Sequence, residues 1–430
     1  MATPDIRTEW GTQRRLAETM RHVDDSDIDE LIDRFTRLGG GPRFFAKFHP
    51  QASWLWRQYH GTVLQHTWKP ACLAMVLAFA TVHYMESDGR DWPKFGVPHE
   101  KAVAQLLGLE RAWSYVLTFA TFINSFFLSQ SYGFWLANKG NTRKVQGRLN
   151  DLSCLLATHA ERDEQGRFTE RARALLDEMA RWVRLFHILF WAGQVRPARA
   201  DEGASHSRRC AAPPAARASL SVLRTDRGLS RLCEREHLTR DEYELLVGES
   251  YRVSETQRHS ALSISLLSPV GEASLVVLEW ICARFVQARQ GALLQGGAGM
   301  ETVFLDKALA LRAVCASIGD DAAARMPLAY VHLVQILVDC LVALAPLALY
   351  AKVGVFTIPL VGLLCVFFRG FLALSKSFLD PFGNEDSLSE NLSVHCLVCE
   401  VNAGSVRWAS GIEELPRCGY SLAAGRGARR

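Results

Sequence analysis

Several signatures are missing from this 430-residue chain, and each absence removes a class of function. There is no phosphate-binding glycine loop and no Gly-x-Ser-x-Gly elbow, which argues against a nucleotide hydrolase or a serine esterase. None of the 13 histidines pairs at the HxxxH or HxxHH spacing of a membrane di-iron enzyme. His83 and His332, inside apolar runs, are either packed polar residues or pore-facing ones. Cys396-Leu-Val-Cys399 is a lone CxxC beside His395, whereas structural zinc needs further ligands at comparable spacing. The 11 cysteines are odd in number and scattered through apolar stretches (Cys72, Cys154, Cys282, Cys315, Cys340, Cys365), as reduced thiols rather than a disulfide framework. A net charge of +4, from 49 basic and 45 acidic residues, is too small and too mixed to imply a nucleic-acid partner. No leader is visible either. The first 40 residues hold Asp24, Asp25, Asp27, Asp29, Glu30 and Asp33, unlike a secretory or transit peptide, so insertion by internal helices is expected.

What the chain has is clustered hydrophobicity. From Ser114 to Trp135 the sequence reads SYVLTFATFINSFFLSQSYGFW, and no charge occurs between Ala112 and Asn138. That length can cross a bilayer. The run is nevertheless unusually polar, with Thr118, Thr121, Asn124, Ser125, Ser129 and Gln130 in it. Thr118, Phe122 and Phe126 recur every four residues, an advance of about 400° that keeps them close to one line. Two readings are open: a helix lining a narrow conduit, with aromatic rings at its constriction, or a packing helix whose hydroxyls and amides bond its neighbours.

Residues 1–43 read as a polar tail holding a short amphipathic helix, with Asp27 as N-cap, an apolar face of Ile28, Leu31, Ile32 and Phe35, and Gly39-Gly-Gly-Pro42 as its stop. Phe44–Phe48 and Trp54–Tyr59 mix aromatic and basic residues, as at a membrane interface or in a helix packed on protein. Ala71–Met85 is a first short span, and 86–111 a polar connection. The 112–137 run is the second span. Lys139, Arg143, Lys144 and Arg148 follow it and place that end in the cytosol. Leu149–Trp191 predicts one or two helices outside the membrane. Residues 194–219 are rich in Pro, Ala, Arg and Ser and read as a disordered insertion or a gene-model error. A Thr239…Glu242 capping box opens a short helix. Helices are predicted over Ala273–Leu294, closed by Gly296–Gly299, and over Glu301–Ile318. Met326–Tyr350, interrupted by Asp339 and Pro346, and Val353–Phe368 form an antiparallel hairpin across Ala351-Lys352. Asp339 is either a functional charge or one paired with a helix neighbour. Basic residues beyond the outer ends (Arg312, Arg325, Arg369, Lys376) put both termini in the cytosol. Asn391-Leu-Ser393 is a glycosylation sequon, expected unused there.

The hairpin resembles a known family. Met326–Asp339, MPLAYVHLVQILVD, is similar to the "IPLVYTQVV" opening of the third membrane helix of bestrophins, the pentameric anion channels. Phe378–Asp386, FLDPFGNED, resembles their "NPFGEDDDD" segment, and Trp280–Gly291 is weakly similar to the stretch ahead of the third span. Order and spacing agree from about residue 44 to 386. The resemblance implies an all-α, multi-pass membrane protein, pentameric, with spans at about 68–86, 112–137, 326–350 and 353–375 in a channel domain of 44–386, and a cytosolic segment over 387–430. It also implies that the 112–137 helix lines the pore. If Tyr132-Gly-Phe-Trp135 matches the family's end of that helix, Phe122 and Phe126 fall on hydrophobic neck positions and Thr118 on a third, usually aliphatic one. Asp380, Glu385 and Asp386 match the calcium clasp, although its last aspartate is Leu388 here, with Glu390 nearby; a capped turn is the competing reading, since calcium wants six to eight oxygens. The expected function is passive flow of chloride, with bicarbonate as a further candidate, in the plasma or an internal membrane, and no enzymatic activity. The alternative is a non-conducting scaffold or regulatory homologue.

Overall fold

The computed structural model describes residues 23–39, 57, 59, 62–86, 99–195, 220–247, 269–323, 325–382 and 392–411. The α-helices among them are α1 (Asp25–Thr36), α2 (Val63–Glu86), α3 (His99–His159), α4 (Glu170–Gln194), α5 (Asp226–Glu234), α6 (240–247), α7 (Pro269–Gln290), α8 (Ala298–Ala323), α9 (Leu328–Val353), α10 (Thr357–Phe378) and α11 (Val394–Gly411). The only extended pairings among these residues are two isolated bridges, Ala160–Leu294 and Arg162–Phe168. The chain divides into two compact units. One comprises Met1–Phe44, Thr142–Ala316 and Ser393–Arg430; the other comprises Phe45–Asn141 and Ser317–Leu392.

The second unit is apolar. Two segments in it are long and apolar enough to cross a membrane, Leu106–His159 and Leu328–Phe378, with mean hydropathy 1.2 and 2.1. The latter holds both α9 and α10, folded back on each other through a 3-10 turn, Gly354–Phe356. Gly354 sits at φ +52, ψ −126, a conformation that a Cβ would oppose, and its N–H donates to the Tyr350 carbonyl. The hairpin is antiparallel: Gln335 meets Lys376 near the open end and Asp339 meets Arg369 further up. Helix α2 is antiparallel to α10, since Met75 lies over Gly362 and Val63 over Gly370. Helix α3 runs alongside α10 in the same direction, because Asn124 Nδ2 donates to the Phe368 carbonyl at 3.2 Å and Trp135 packs on Phe378. Small residues let the backbones approach, with Ala71, Ala74, Ala78, Ala120, Ala345 and Ala348 all in one buried cluster. At the hairpin tip Lys352 donates to Glu110 at 2.6 Å.

The other unit is an amphipathic helical assembly. The C-terminal half of α4, Leu185–Ala192, is buried throughout. There the Trp191 indole donates to His187 Nε2 at 2.7 Å, and burial holds the His187 imidazole neutral, with its pKa pushed down to about 3. The apolar face of α1 (Ile28, Leu31, Ile32, Phe35) is buried, and its acids face outward along α5. Asp25 pairs with Arg227, Asp29 with Arg231 and Asp33 with Arg235, so two helices of matching period lie in register. Helix α11 holds the C-terminal turns of α3: Gln146 donates to Leu397 O at 3.1 Å and Arg143 to Glu400 at 2.7 Å. The Thr239–Glu242 capping box is present, and Glu242 also accepts from both Arg181 and the Trp182 indole.

The structure departs from the sequence reading at several boundaries. The N-cap of α1 is Asp24; Asp27 is its reciprocal partner in a capping box rather than the cap. The 86–111 connection turns helical at His99, and α3 then continues unbroken to His159, because the basic cluster consists of helix formers and ends an apolar run without ending a helix. Helix α9 passes through Asp339 and Pro346 and includes Ala351-Lys352, so the turn lies three residues later than expected. Gly299 opens α8 instead of closing α7. The aromatic segment 44–56, the 196–219 stretch and Glu385, Asp386, Leu388, Glu390 and Asn391 lie outside the described residues.

Two outcomes follow from packing and charge. A Cβ at Gly370 would sit 2.5 Å from Val63 Cγ1, a stiff β-branched side chain, whereas at Gly362 it would meet Cγ and Sδ of Met75, both at 2.7 Å, on an unbranched side chain that can turn aside. Gly370→Ala is therefore expected to lower stability by about 1–3 kcal/mol in detergent thermal melts, and Gly362→Ala to change it little. Burial alone would raise the Glu242 carboxyl, but hydrogen bonds from Arg181, the Thr239 N–H and the Trp182 indole outweigh it and hold the pKa at about 2. Its stabilisation is complete above the ordinary value of 4.5 and is lost as pH falls through about 2. Acid titration followed by tryptophan fluorescence should show Glu242→Gln less stable at neutral pH and less pH-dependent between those values.

Candidate functional site

The site builds from the two sides of α3. One side is buried on its own unit: Trp113, Ala120, Asn124, Phe127, Ser131 and Trp135. Their spacing of three, four and seven traces one helical face. Trp113 Nε1 donates to Leu341 O at 3.0 Å, and Phe127 packs edge-on against Tyr330. Asn124 thus does what the packing reading described, bonding a neighbouring helix.

The opposite side carries the candidate neck. Phe122 is 71% exposed and Phe126 49%, and Tyr115 and Phe119 are exposed beside them. Thr118 is on this side too, its hydroxyl donating to the Ser114 carbonyl one turn back at 3.0 Å. Thr121 does the same to Leu117 at 2.8 Å. Both hydroxyls therefore spend their proton on the helix and turn lone pairs and methyl groups outward. Phe122 lies opposite the buried face, while Thr118 and Phe126 each deviate from it by about 40°, in opposite directions. Ser125 and Ser129 share the exposed side.

A second constellation lies between α9 and α10. Arg369 Nη2 is 2.8 Å from Asp339 Oδ1, Gln335 Nε2 donates to Asp339 Oδ2 at 2.6 Å, and Lys376 Nζ donates to Gln335 Oε1 at 2.6 Å. Asp339 is thus paired with a helix neighbour. Sequence reasoning counted Arg369 among the residues beyond the span, but it belongs inside α10. The signal for the pair was present, because Asp339 and Arg369 are equidistant in sequence from Gly354 at the turn. The charges are only partly covered, at 40% and 36% side-chain exposure.

Of the candidate clasp, only Asp380 is described. It is buried, with Arg325 Nη2 3.8 Å from its Oδ1. Its carboxylate offers at most two of the six to eight oxygens that a calcium ion takes. Among the described residues no three His, Cys, Asp or Glu side chains are grouped to hold a metal. Cys396 and Cys399 are buried and not joined in a disulfide, His83 stacks on Phe79, and His332 is exposed. In the basic cluster, Arg143 pairs with Glu400 and Arg148 with Asp151, while Lys139 stacks over Trp135 at 5.1 Å.

Removing one member of the Asp339–Arg369 pair leaves the other, partly covered charge without its partner. Asp339→Leu and Arg369→Leu should each lower the melting temperature, and the double variant should lose less than their sum by about 1 kcal/mol or more.

No protein-family profile and no curated protein matches the chain by sequence. Solved structures do match by shape. A bacterial bestrophin homologue from Klebsiella pneumoniae superposes over 79% of this chain and 97% of its own, with a TM-score of 0.50 at 14% identity. A tryptophan-to-alanine mutant of it covers 82% and 99%, with a TM-score of 0.52 at 13% identity. An aspartate-to-alanine mutant covers 79% and 97%, with a TM-score of 0.51 at 13% identity. The chain is bestrophin-like in fold.

Proposed function

We propose that this chain is one subunit of a membrane channel that passes small anions, chloride first and bicarbonate as a further candidate. The observation that carries the reading is the outward face of α3, where Phe122 and Phe126 stand exposed on a helix whose other side is fully packed. In a ring of copies, five by the resemblance, these rings would form a narrow neck. An ion crossing it sheds water, and ring edges with positive partial charge compensate an anion better than a cation. The outward lone pairs of Thr118 would make one end of the neck more polar than an aliphatic residue would.

On this reading α2, α3, α9 and α10 are the four spans. The apolar exposed residues of α2, among them Leu73, Val76 and Phe79, then face lipid or a second copy. Both termini lie in the cytosol, on the side of Lys139–Arg148. Steering of anions by that cluster is weaker than its sequence suggests, because two of its cations are paired. The candidate calcium clasp of this reading is Asp380, Glu385 and Asp386, with Arg325 3.8 Å from the first.

Purified protein in liposomes should show chloride flux above that of empty vesicles, and Phe122→Ala with Phe126→Ala should raise conductance or loosen selectivity among anions. Unchanged flux in the double variant would remove both residues from the neck. Verified oligomers that pass no small anion would establish the rival reading, a non-conducting scaffold of the same fold. Running the assay with and without calcium decides the clasp, since indifference to calcium removes Glu385 and Asp386 from any gating role.

A further inference from the structure

We propose that the Asp339–Arg369–Lys376 cluster sets the anion-over-cation preference of the conduit, acting through α3 from behind the neck. This inference rests on the channel reading and names residues that reading did not use.

The placement comes from contacts within the apolar unit. Asn124, between Phe122 and Phe126, turns to the buried side of α3 and donates to the carbonyl of Phe368. Arg369 is the next residue, so its position on α10 is level with the neck. Lys376 lies two turns further along α10, level with the Tyr132–Trp135 end of α3, as the packing of Phe378 on both rings shows. The cluster therefore spans the depth of the neck and its exit on the cytosolic side.

The charge balance gives the sign. Asp339 contributes one negative charge, Arg369 and Lys376 two positive ones. The carboxylate is engaged by Arg369 and by the amide of Gln335, and Lys376 donates to the other end of that amide. Gln335 thus spaces Lys376 away from Asp339, and the cluster keeps a net charge of +1. On the subunit Asp339 and Arg369 are partly covered and Lys376 is exposed. On the channel reading lipid or a second copy covers them, and there a charge is weakly screened and its field reaches an ion on the other side of one helix. Copies around a ring would add. Phenyl rings offer an anion only partial charges, so a full cationic excess at the same depth is the stronger source of charge selectivity.

Structural and electrostatic roles separate by variant choice. Lys376→Gln removes the excess charge and leaves the Asp339–Arg369 pair intact; Lys376→Arg keeps the charge; Asp339→Asn increases the excess. The readout is the chloride-to-sodium permeability ratio from reversal potentials under a salt gradient, with oligomeric state and melting temperature measured alongside. The ratio is expected to fall about threefold in Lys376→Gln, to stay level in Lys376→Arg and to rise in Asp339→Asn, the order expected for one charge acting across a helix. A ratio unchanged in both Lys376→Gln and Asp339→Asn, in conducting protein, would overturn the cluster's role while leaving the channel. A parent protein that conducts nothing would overturn the channel and the cluster's role with it.

Discussion

Inside the apolar unit, a polar group has no water to fall back on, and the arrangement of its helices follows from that constraint. Hydroxyls return to their own helix, as Thr67, Thr81, Thr118, Thr121 and Ser375 each bond the carbonyl four residues back. Groups too long or too charged for that solution bond across helices and fix their register. Trp113 to Leu341, Asn124 to Phe368, Asp339 to Arg369, Gln335 to Lys376 and Glu110 to Lys352 are such ties, and they place α3, α9 and α10 at defined depths. Small residues supply the closeness that makes these ties reachable. Between α2 and α10 the close approach at Gly362 and Gly370 sets the register.

Much of this was legible in the sequence, and the reasons for the rest are physical. Apolar runs locate helices because burial and helix formation agree within them, so α2, α3, α9 and α10 were all anticipated. Their ends were not, because hydropathy marks where a solvent changes and says little about where a helix stops. Lys139, Arg143, Lys144 and Arg148 end the apolar run of α3, yet all four favour helix, and Gly140 and Gly147 cost too little to break it. Pro346 reads as an interruption, although in an apolar helix the neighbours hold the geometry and the missing N–H removes a single bond. At α1, two aspartates three apart both fit a cap; only the direction of their reciprocal bonds assigns the role to Asp24.

The candidate site divides along the same line. Spacing alone put Thr118, Phe122 and Phe126 on a common line, and the structure gives all three to the exposed side of α3, with Phe122 at its middle. Spacing could not tell which of the interspersed polar residues face outward. Asn124 and Ser131 turn inward with Phe127, while Ser125 and Ser129 stay with the aromatic rings. Partner identity was also hidden, since Arg369 in isolation has the position of a boundary charge. Only the fold of the hairpin about Gly354 brings it opposite Asp339.

Where charge sits bears on how an anion pathway of this fold would work. The basic residues that stand out in sequence, at 139–148, are partly consumed by Glu400, Asp151 and the Trp135 ring. Exposed pairs of this kind are screened by salt and add little field at a distance. The cationic excess at Arg369 and Lys376 is numerically smaller and partly exposed on the subunit. On the proposed reading, however, it lies in a membrane-spanning hairpin, where lipid or a second copy covers it and its field is less attenuated. A charge placed in such surroundings carries a stability cost that the Asp339 pairing offsets for Arg369 and that a single amide bond offsets for Lys376. If packing alone had shaped this hairpin, an apolar residue in place of Lys376 would serve it at least as well. On the proposed channel reading the role of Lys376 is electrostatic, with the aromatic neck governing how much water an ion sheds and the cluster behind it governing which sign of ion passes.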